Sequence, residues 1–250
     1  MHWFKSDLHI HSVLSPCGDL SMSPQMVIRR ACERNLDLIA ITDHNSMANC
    51  GAYKKVAEKA GIHFLVGMEV QTTEEIHLIT LFDNCETASA FGDLIYGSLL
   101  PISNDPDFFG DQVVVDAEAN IVRIEEKALI NSSMLTLEEI VDKANEFGAF
   151  VFPAHVDANS FSIIGQLGMI PDGLKVDACG ITAKGDARKL IKQYPQLADF
   201  ALIRNSDAHY PDDIGSGYTE FYLDQPTIAE LKKACRNELG RKVYLKDIKK

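Results

Sequence analysis

Six of the eight histidines in this chain, together with Glu69, fall in short segments that resemble metal-ligand motifs, each beside an apolar run that reads as a β-strand. The segments are Asp7-Leu8-His9-Ile10-His11, Thr42-Asp43-His44, Gly67-Met68-Glu69-Val70, Glu75-Ile76-His77-Leu78, Pro153-Ala154-His155-Val156 and Asn205-Ser206-Asp207-Ala208-His209. Imidazole nitrogen and carboxylate oxygen together suit borderline divalent ions such as Zn, Mn and Fe. One such segment would mean little. A series of them, each at a strand end, implies one shared polynuclear metal site.

Spacing assigns provisional roles. His9 and His11 are two apart on a strand end, so both side chains point the same way and can bind one ion. Asp7 lies one period earlier and is placed to orient the pair or cap the strand. His44 follows Asp43 directly, so the two side chains diverge. His44 then reads as the ligand, and Asp43 as its hydrogen-bonding partner or a proton-handling group. Glu69 ends a strand, where a carboxylate can bridge two ions, and His77 comes one strand later. His155 ends a strongly apolar run. Asp207 and His209 repeat the same-face spacing of the first pair. Asp157, two after His155, can orient that ring, bind substrate hydroxyls or protonate a leaving group. His2 and His63 belong to no motif.

The elements that must position these groups alternate. Strands are expected at 3–10, 36–42, 62–70, 76–82, 149–154, 174–179 and 200–205. Helices are expected at 24–34, with Ser23 as N-cap and Pro24 at the first helical position, at 46–60 closed by Gly61, at 85–99, from the capping box Thr136-Leu137-Glu138-Glu139 to Phe147, and near 184–193 and 227–238. Such alternation builds a parallel sheet covered by helices. Ligands from six strand ends fit a closed or nearly closed α/β barrel, whose functional groups gather at the C-terminal strand ends. An open doubly wound sheet would focus its site on one crevice. Residues 101–130 carry none of the motifs and read as an insertion holding a hairpin that turns near Glu118-Ala119-Asn120. That insertion can shape substrate selection, or it can be a packing or dimer element.

Composition narrows the partners. A net charge of −12 argues against general binding of long nucleic acid, which needs a basic face, but permits a nucleotide or short oligonucleotide held through metals. No stretch approaches the apolar length of a membrane span. None of the six cysteines is in C-x-x-C spacing, and the N-terminal residues do not resemble a signal peptide, so a reduced cytoplasmic protein is expected. Oligomeric state cannot be read.

The ordered motifs resemble the PHP (polymerase and histidinol phosphatase) family: His-x-His, Thr-Asp-His, Gly-x-Glu, a His on the next strand, a Pro-x-His and a Ser-Asp-x-His, together spanning positions 7 to 209. The resemblance implies a single-domain distorted (β/α)7 TIM-like barrel over residues 1–250. It also implies up to three divalent ions and phosphoester hydrolysis by a metal-bound hydroxide. Carried over by motif, His9, His11, Glu69 and Asp207 would hold one ion; Asp19, His44 and His209 a second; and Glu69, His77 and His155 a third, with Glu69 as the bridge. The chain departs from the family at one point. Members often place an Asp five residues after the His-x-His, where this chain has Pro16, and the first carboxylate comes at Asp19.

No Ser or Cys nucleophile is required by this chemistry, and Cys17 has no spacing that argues for covalent catalysis. Arg204 and Lys184 are candidate phosphate-binding cations by position, and each reads equally well as a solvated loop charge. Two rival readings remain. One is a non-catalytic, metal-stabilised PHP module with a regulatory or structural role. The other is a metal amidohydrolase on a related barrel, against which no Lys ends a strand among the motifs.

Overall fold

Along each central strand, alternate side chains enter two different apolar clusters. Leu38 and Ala40, Leu65, Ile79 and Leu81, and Phe150 and Phe152 share an inner cluster. Ile39 and Ile41, Val66 and Met68, Leu78 and Phe82, and Val151 pack outward against helices. Period-two patterning with both faces apolar is what a sheet buried on both sides requires.

The computed structural model describes residues 1–246. The elements run β1 (His2–Ile10), α1 (Pro24–Glu33), β2 (Leu38–Ile41), α2 (Cys50–Ala60), β3 (His63–Gln71), β4 (His77–Phe82), α3 (Cys85–Ser98), α4 (Pro106–Phe109), β5 (Val113–Val115), β6 (Ile121–Ile124), α5 (Leu137–Glu146), β7 (Phe150–Pro153), α6 (Ile163–Leu167), β8 (Cys179–Ile181), α7 (Ala187–Gln193), β9 (Leu202–Arg204), β10 (Thr219–Leu223), α8 (Ile228–Cys235) and β11 (Lys242–Tyr244). A curled seven-stranded sheet has the order β11-β10-β1-β2-β3-β4-β7, with β5-β6 and β8-β9 as separate pairs. Main-chain bonds tie β8-β9 to both flanks of its gap. Val156 N–H donates to Gly180 O and Asp177 N–H to Val151 O on one side, and His11 N–H donates to Ala208 O on the other.

The expected all-parallel sheet is corrected in two places. β4 runs antiparallel to both β3 and β7, because the few residues between β3 and β4 can turn a hairpin but cannot make a parallel crossover. The start of β4 therefore lies at the same edge as the ends of β2, β3 and β7, and His77 opens its strand instead of closing one. The strands β10 and β11 were not anticipated. They extend the sheet antiparallel from the first half of β1, where His2–Ser6 pair with Leu223–Thr219.

Local rules explain most helix ends. Thr136 and Glu139 form the reciprocal capping box of α5, and Gly61 ends α2 at φ 75°. The expected helix from Ser46 begins only at Cys50. Asn49 instead spends its side chain on the hairpin backbone, donating to Val113 O (3.0 Å) and accepting from Val115 N–H (2.9 Å). The hairpin itself forms where expected, with Ala119 at φ 65° in its turn.

Gly67 sits in the inner layer of β3, two residues before Glu69. A Cβ there would lie 2.5 Å from Leu81 Cδ2 and 2.9 Å from Thr80 O. Gly67→Ala should therefore destabilise the fold by about 1–3 kcal/mol, read as a lower urea midpoint with an unchanged slope.

Candidate metal centre

The parity that fills the inner cluster continues past it into polar residues. Beyond Leu38 and Ala40 on the same face comes His44, beyond Leu65 comes Glu69, before Ile79 comes His77, and beyond Ile203 comes Asp207. A register shift between β1 and β2, from Asp7 to Ile10, turns the end of β1 so that both rings of the His-x-His converge. His155 and Asp207 leave their strands at φ 30° and 53°. These left-handed conformations cost non-glycine residues free energy and are concentrated where function demands a particular side-chain direction.

Glu69 is the hub. Its carboxylate lies 3.2 Å from His9 Nε2, 3.4 Å from His11 Nε2, 3.2 Å from His44 Nδ1, 3.0 Å from His77 Nδ1 and 3.4 Å from His155 Nε2. Asp207 Oδ1 is 3.2 Å from both His9 Nε2 and His11 Nε2, and those two nitrogens are 3.2 Å apart. Two donor atoms each about 2.1 Å from one tetrahedral ion sit about 3.4 Å apart, so these spacings match ligand atoms around shared ions. Buried atoms without hydrogen bonds give the same indication: His44 Nδ1, Glu69 Oε1, His77 Nδ1 and Asp207 Oδ1 make none. Leaving such atoms unpaired costs free energy that a coordinated cation would offset. The donor set therefore fits divalent metal.

Charge reinforces the fit. Burial pushes the Glu69 pKa up, but His77, His9 and His44 hold it well below the usual carboxylate range. Asp207 is likewise held low against its burial, by His9 and His11. Burial lowers His44 well below its ordinary value, and burial next to His11 brings His209 down to about 4. Anionic carboxylates and neutral imidazoles are the protonation states a metal requires. At His11 and His155 the surrounding groups, Glu69 and Asp207 among them, outweigh burial and raise the ring pKa, so a metal bound there would displace a proton.

Behind the donors stands a second layer of hydrogen bonds. Asp43 is fully buried and accepts from Ser12 N–H (2.7 Å), Ser12 Oγ (2.6 Å) and Ser15 Oγ (2.7 Å). Ser15 Oγ, having given its proton to Asp43, accepts from His11 Nδ1 at 2.8 Å. The lone pair of His11 is then left on Nε2, facing Glu69 and Asp207. Gln71 Oε1 holds His77 Nε2 at 3.1 Å. Asp7, raised to about 6 by burial, accepts from Ser206 N–H and Gly215 N–H and so pins the Asp207 loop.

Several expected roles are corrected by position. Asp43 supports His11 through Ser15 and does not face the cleft. Asp157 does not reach His155; it binds Thr182 through N–H (2.8 Å) and Oγ1 (2.7 Å). Arg204 Nη2 donates to Gly185 O at 2.6 Å, and Lys184 is exposed on the same loop; neither lines the cleft of about 250 Å³ over the cluster. Asp19 does not join the cluster either: its carboxylate accepts from Ser21 N–H at 2.8 Å. In its place comes Cys17, whose sulfur lies with donor atoms of His11, His44 and His209, all within 4.8 Å of one another. Phe161 also went unnoticed in the sequence. At φ 55° and 40% exposed, it stacks on His77 with ring centroids 4.9 Å apart. Neither residue has a spacing that would have revealed it.

Ser15→Ala removes the link between Asp43 and His11. Metal affinity should fall about 10–100-fold, measured by competition with a chromogenic chelator, while the far-ultraviolet circular dichroism stays unchanged.

Residues 7–197 match the family model of the PHP domain, and residues 187–238 match that of a PHP-associated region. Among curated relatives, an uncharacterized protein of Methanocaldococcus jannaschii is 33% identical over 88 residues, covering 32% of this chain and 51% of that protein. A 3',5'-nucleoside bisphosphate phosphatase of Chromobacterium violaceum is 37% identical over 90 residues, covering 34% and 30%. The match thus spans about half or less of these relatives' own lengths. The solved structure of a lesion-specific endonuclease from Pyrococcus furiosus, EndoQ, aligns with a TM-score of 0.71 at 21% identity over 98% of this chain and 58% of that one, a likeness of fold. With the clustered residues from His9 to His155 inside the first family match, and Asp207 and His209 inside the second, the chain belongs to the PHP domain family.

Proposed function

We propose that this chain is a metal-dependent phosphoesterase that hydrolyses a phosphorylated small molecule, nucleotide or short oligonucleotide at a trinuclear centre. The observation that carries this reading is one buried carboxylate, Glu69, approached at 3.0–3.4 Å by nitrogens of five histidines. His9, His11, Glu69 and Asp207 would hold one ion, and Glu69, His77 and His155 another. His44 and His209 would belong to the remaining position. Bound divalent ions supply a water of lowered pKa and polarise the phosphoryl oxygens.

The protein's own groups do the rest. Among the described residues lining the cleft there is no Lys or Arg, so neutralising a phosphate falls to the ions. Asp157 accepts the Thr182 O–H and so fixes Thr182, whose oxygen is left as an acceptor at the cleft, and Ser160 offers a hydroxyl to the substrate. The exposed ring of Phe161 gives the attached group an apolar wall. The cleft of about 250 Å³ has room for a phosphoryl group and its nearest atoms. Of the proteins named above, one is a nucleoside bisphosphate phosphatase and one a lesion-specific endonuclease, which supports including nucleoside bisphosphates and oligonucleotides in the test panel.

The strands β1, β2, β3, β4, β7, β8 and β9 read as a distorted (β/α)7-type barrel in one domain, with residues 101–130 inserted. The contacts of that segment favour a buttress. Val113 N–H donates to Val13 O, and Asn45 donates to Leu129 O, bracing the loops that carry His11 and His44. No residue of it lines the cleft.

Product release should be measured on phosphomonoesters, nucleoside bisphosphates and short oligonucleotides, with added Mn or Zn and again with chelator. Turnover that chelator abolishes is expected for at least one class. His9→Ala should lower that turnover by at least about a hundredfold in protein that remains folded by circular dichroism. If His9→Ala instead unfolds the chain, and metal-replete wild type turns over nothing, the non-catalytic metal-stabilised module takes precedence.

A further inference from the structure

The loop after His11 delivers a thiol to the histidines where a carboxylate was expected. Ser15 N–H donates to Ser12 O, and Gly18 N–H donates to Ser15 O at 2.8 Å. This turn closes so tightly that a Cβ on Gly18 would lie 2.3 Å from Ser12 O. It leaves Cys17 partly open to solvent but with its sulfur beside the histidines. Asp19 then leaves the cluster twice over: its N–H donates to His209 O, and its carboxylate caps the following turn at Ser21.

The sulfur joins donor atoms of His11, His44 and His209 within 4.8 Å. The neighbouring rings offer an observation independent of the thiol. His44 is 4% exposed, yet its Nδ1, 3.2 Å from the Glu69 carboxylate, makes no hydrogen bond. The His11 and His209 rings stack beside it with centroids 4.2 Å apart at 20°.

We propose that Cys17, and not Asp19, completes the metal position of His44 and His209 beside His11, as a thiolate. This assignment rests on the metal-centre reading above. On binding, the S–H proton passes to solvent and a sulfur–metal bond forms, with no change of oxidation state. A thiolate is softer than carboxylate, so this position selects Zn or Fe(II) over Mn, while the positions built on Glu69 remain open to all three. Asp19 acts as a positioning residue that anchors the His209 backbone.

The test is cobalt substitution of the intact chain, followed by absorbance and metal analysis. Wild type should show a near-ultraviolet thiolate-to-cobalt charge-transfer band beside the visible ligand-field bands. Cys17→Ser should lose that band and about one ion per chain, keeping the ligand-field bands of the other positions. Cys17→Asp should regain the ion without the charge-transfer band and bind Mn more readily there. Asp19→Asn should keep the band. Thermal melts monitored by circular dichroism show whether each variant is folded. Ligand-field bands in wild type without the charge-transfer band, or a band that persists in Cys17→Ser, would overturn the assignment. So would loss of the ion in Asp19→Asn alone. A wild-type chain that takes up no cobalt overturns the metal-centre reading itself, and the thiolate assignment with it.

Discussion

A single ionised carboxylate, Glu69, sits 1% exposed at the end of the inner core, and most of the site is arranged around its charge. Burying such an anion without compensation is prohibitive. The fold compensates with imidazole nitrogens from β1, the β2 end, β4 and the β7 end, all converging on the two oxygens of one residue. Imidazoles alone are an incomplete answer, since several of the facing atoms make no hydrogen bond. Divalent cations held by this carboxylate and these rings would remove that deficit, and metal and fold would then stabilise one another.

This constraint explains why the surroundings are so heavily hydrogen-bonded. A ring that presents a lone pair inward is fixed by a partner on its other nitrogen, an arrangement His11 and His77 have and His155, with its Nδ1 buried and unpaired, does not. For His11 that partner is Ser15, held by Asp43, and for His77 it is Gln71. Asp7 is kept buried at the expense of a raised pKa, because its two oxygens hold the N–H groups of Ser206 and Gly215, which shape the loop bearing Asp207. Three aspartates of the motifs, Asp7, Asp43 and Asp157, are thus structural supports for the loops, and only Asp207 faces the cluster.

The same arrangement separates the work of the two faces of the sheet. The inner face fills with Leu, Ile, Phe and Ala and then changes to His and Glu within two to four residues. The outer face remains apolar against the helices. The hairpin of β5 and β6 adds nothing to the cleft but braces the loop after His11 through Val13 and the loop after Asp43 through Asn49, and Leu129 beyond the hairpin accepts from Asn45. Rigidity of those loops is what holds His11 and His44 in place.

Much of this was legible in the sequence. The donor residues stand out because imidazole and carboxylate at strand ends, repeated in order, have few other uses, and because side-chain alternation along a strand needs no knowledge of distant neighbours. The capping box at Thr136 and the glycine stop at Gly61 are equally local. Direction and loop conformation are not local. The antiparallel course of β4, the late start of α2 and the addition of β10 and β11 depend on which strand or side chain offers the missing hydrogen bonds. The choice of Cys17 over Asp19 beside His44 and His209 follows from main-chain bonds to Ser12, Ser15 and His209. Residue type and spacing determined that imidazoles and carboxylates would gather at one edge of the sheet, and most of the residues that do. Only the tertiary structure decided which group of the intervening loop faces it, because a turn's direction is set by partners that the sequence does not place beside it.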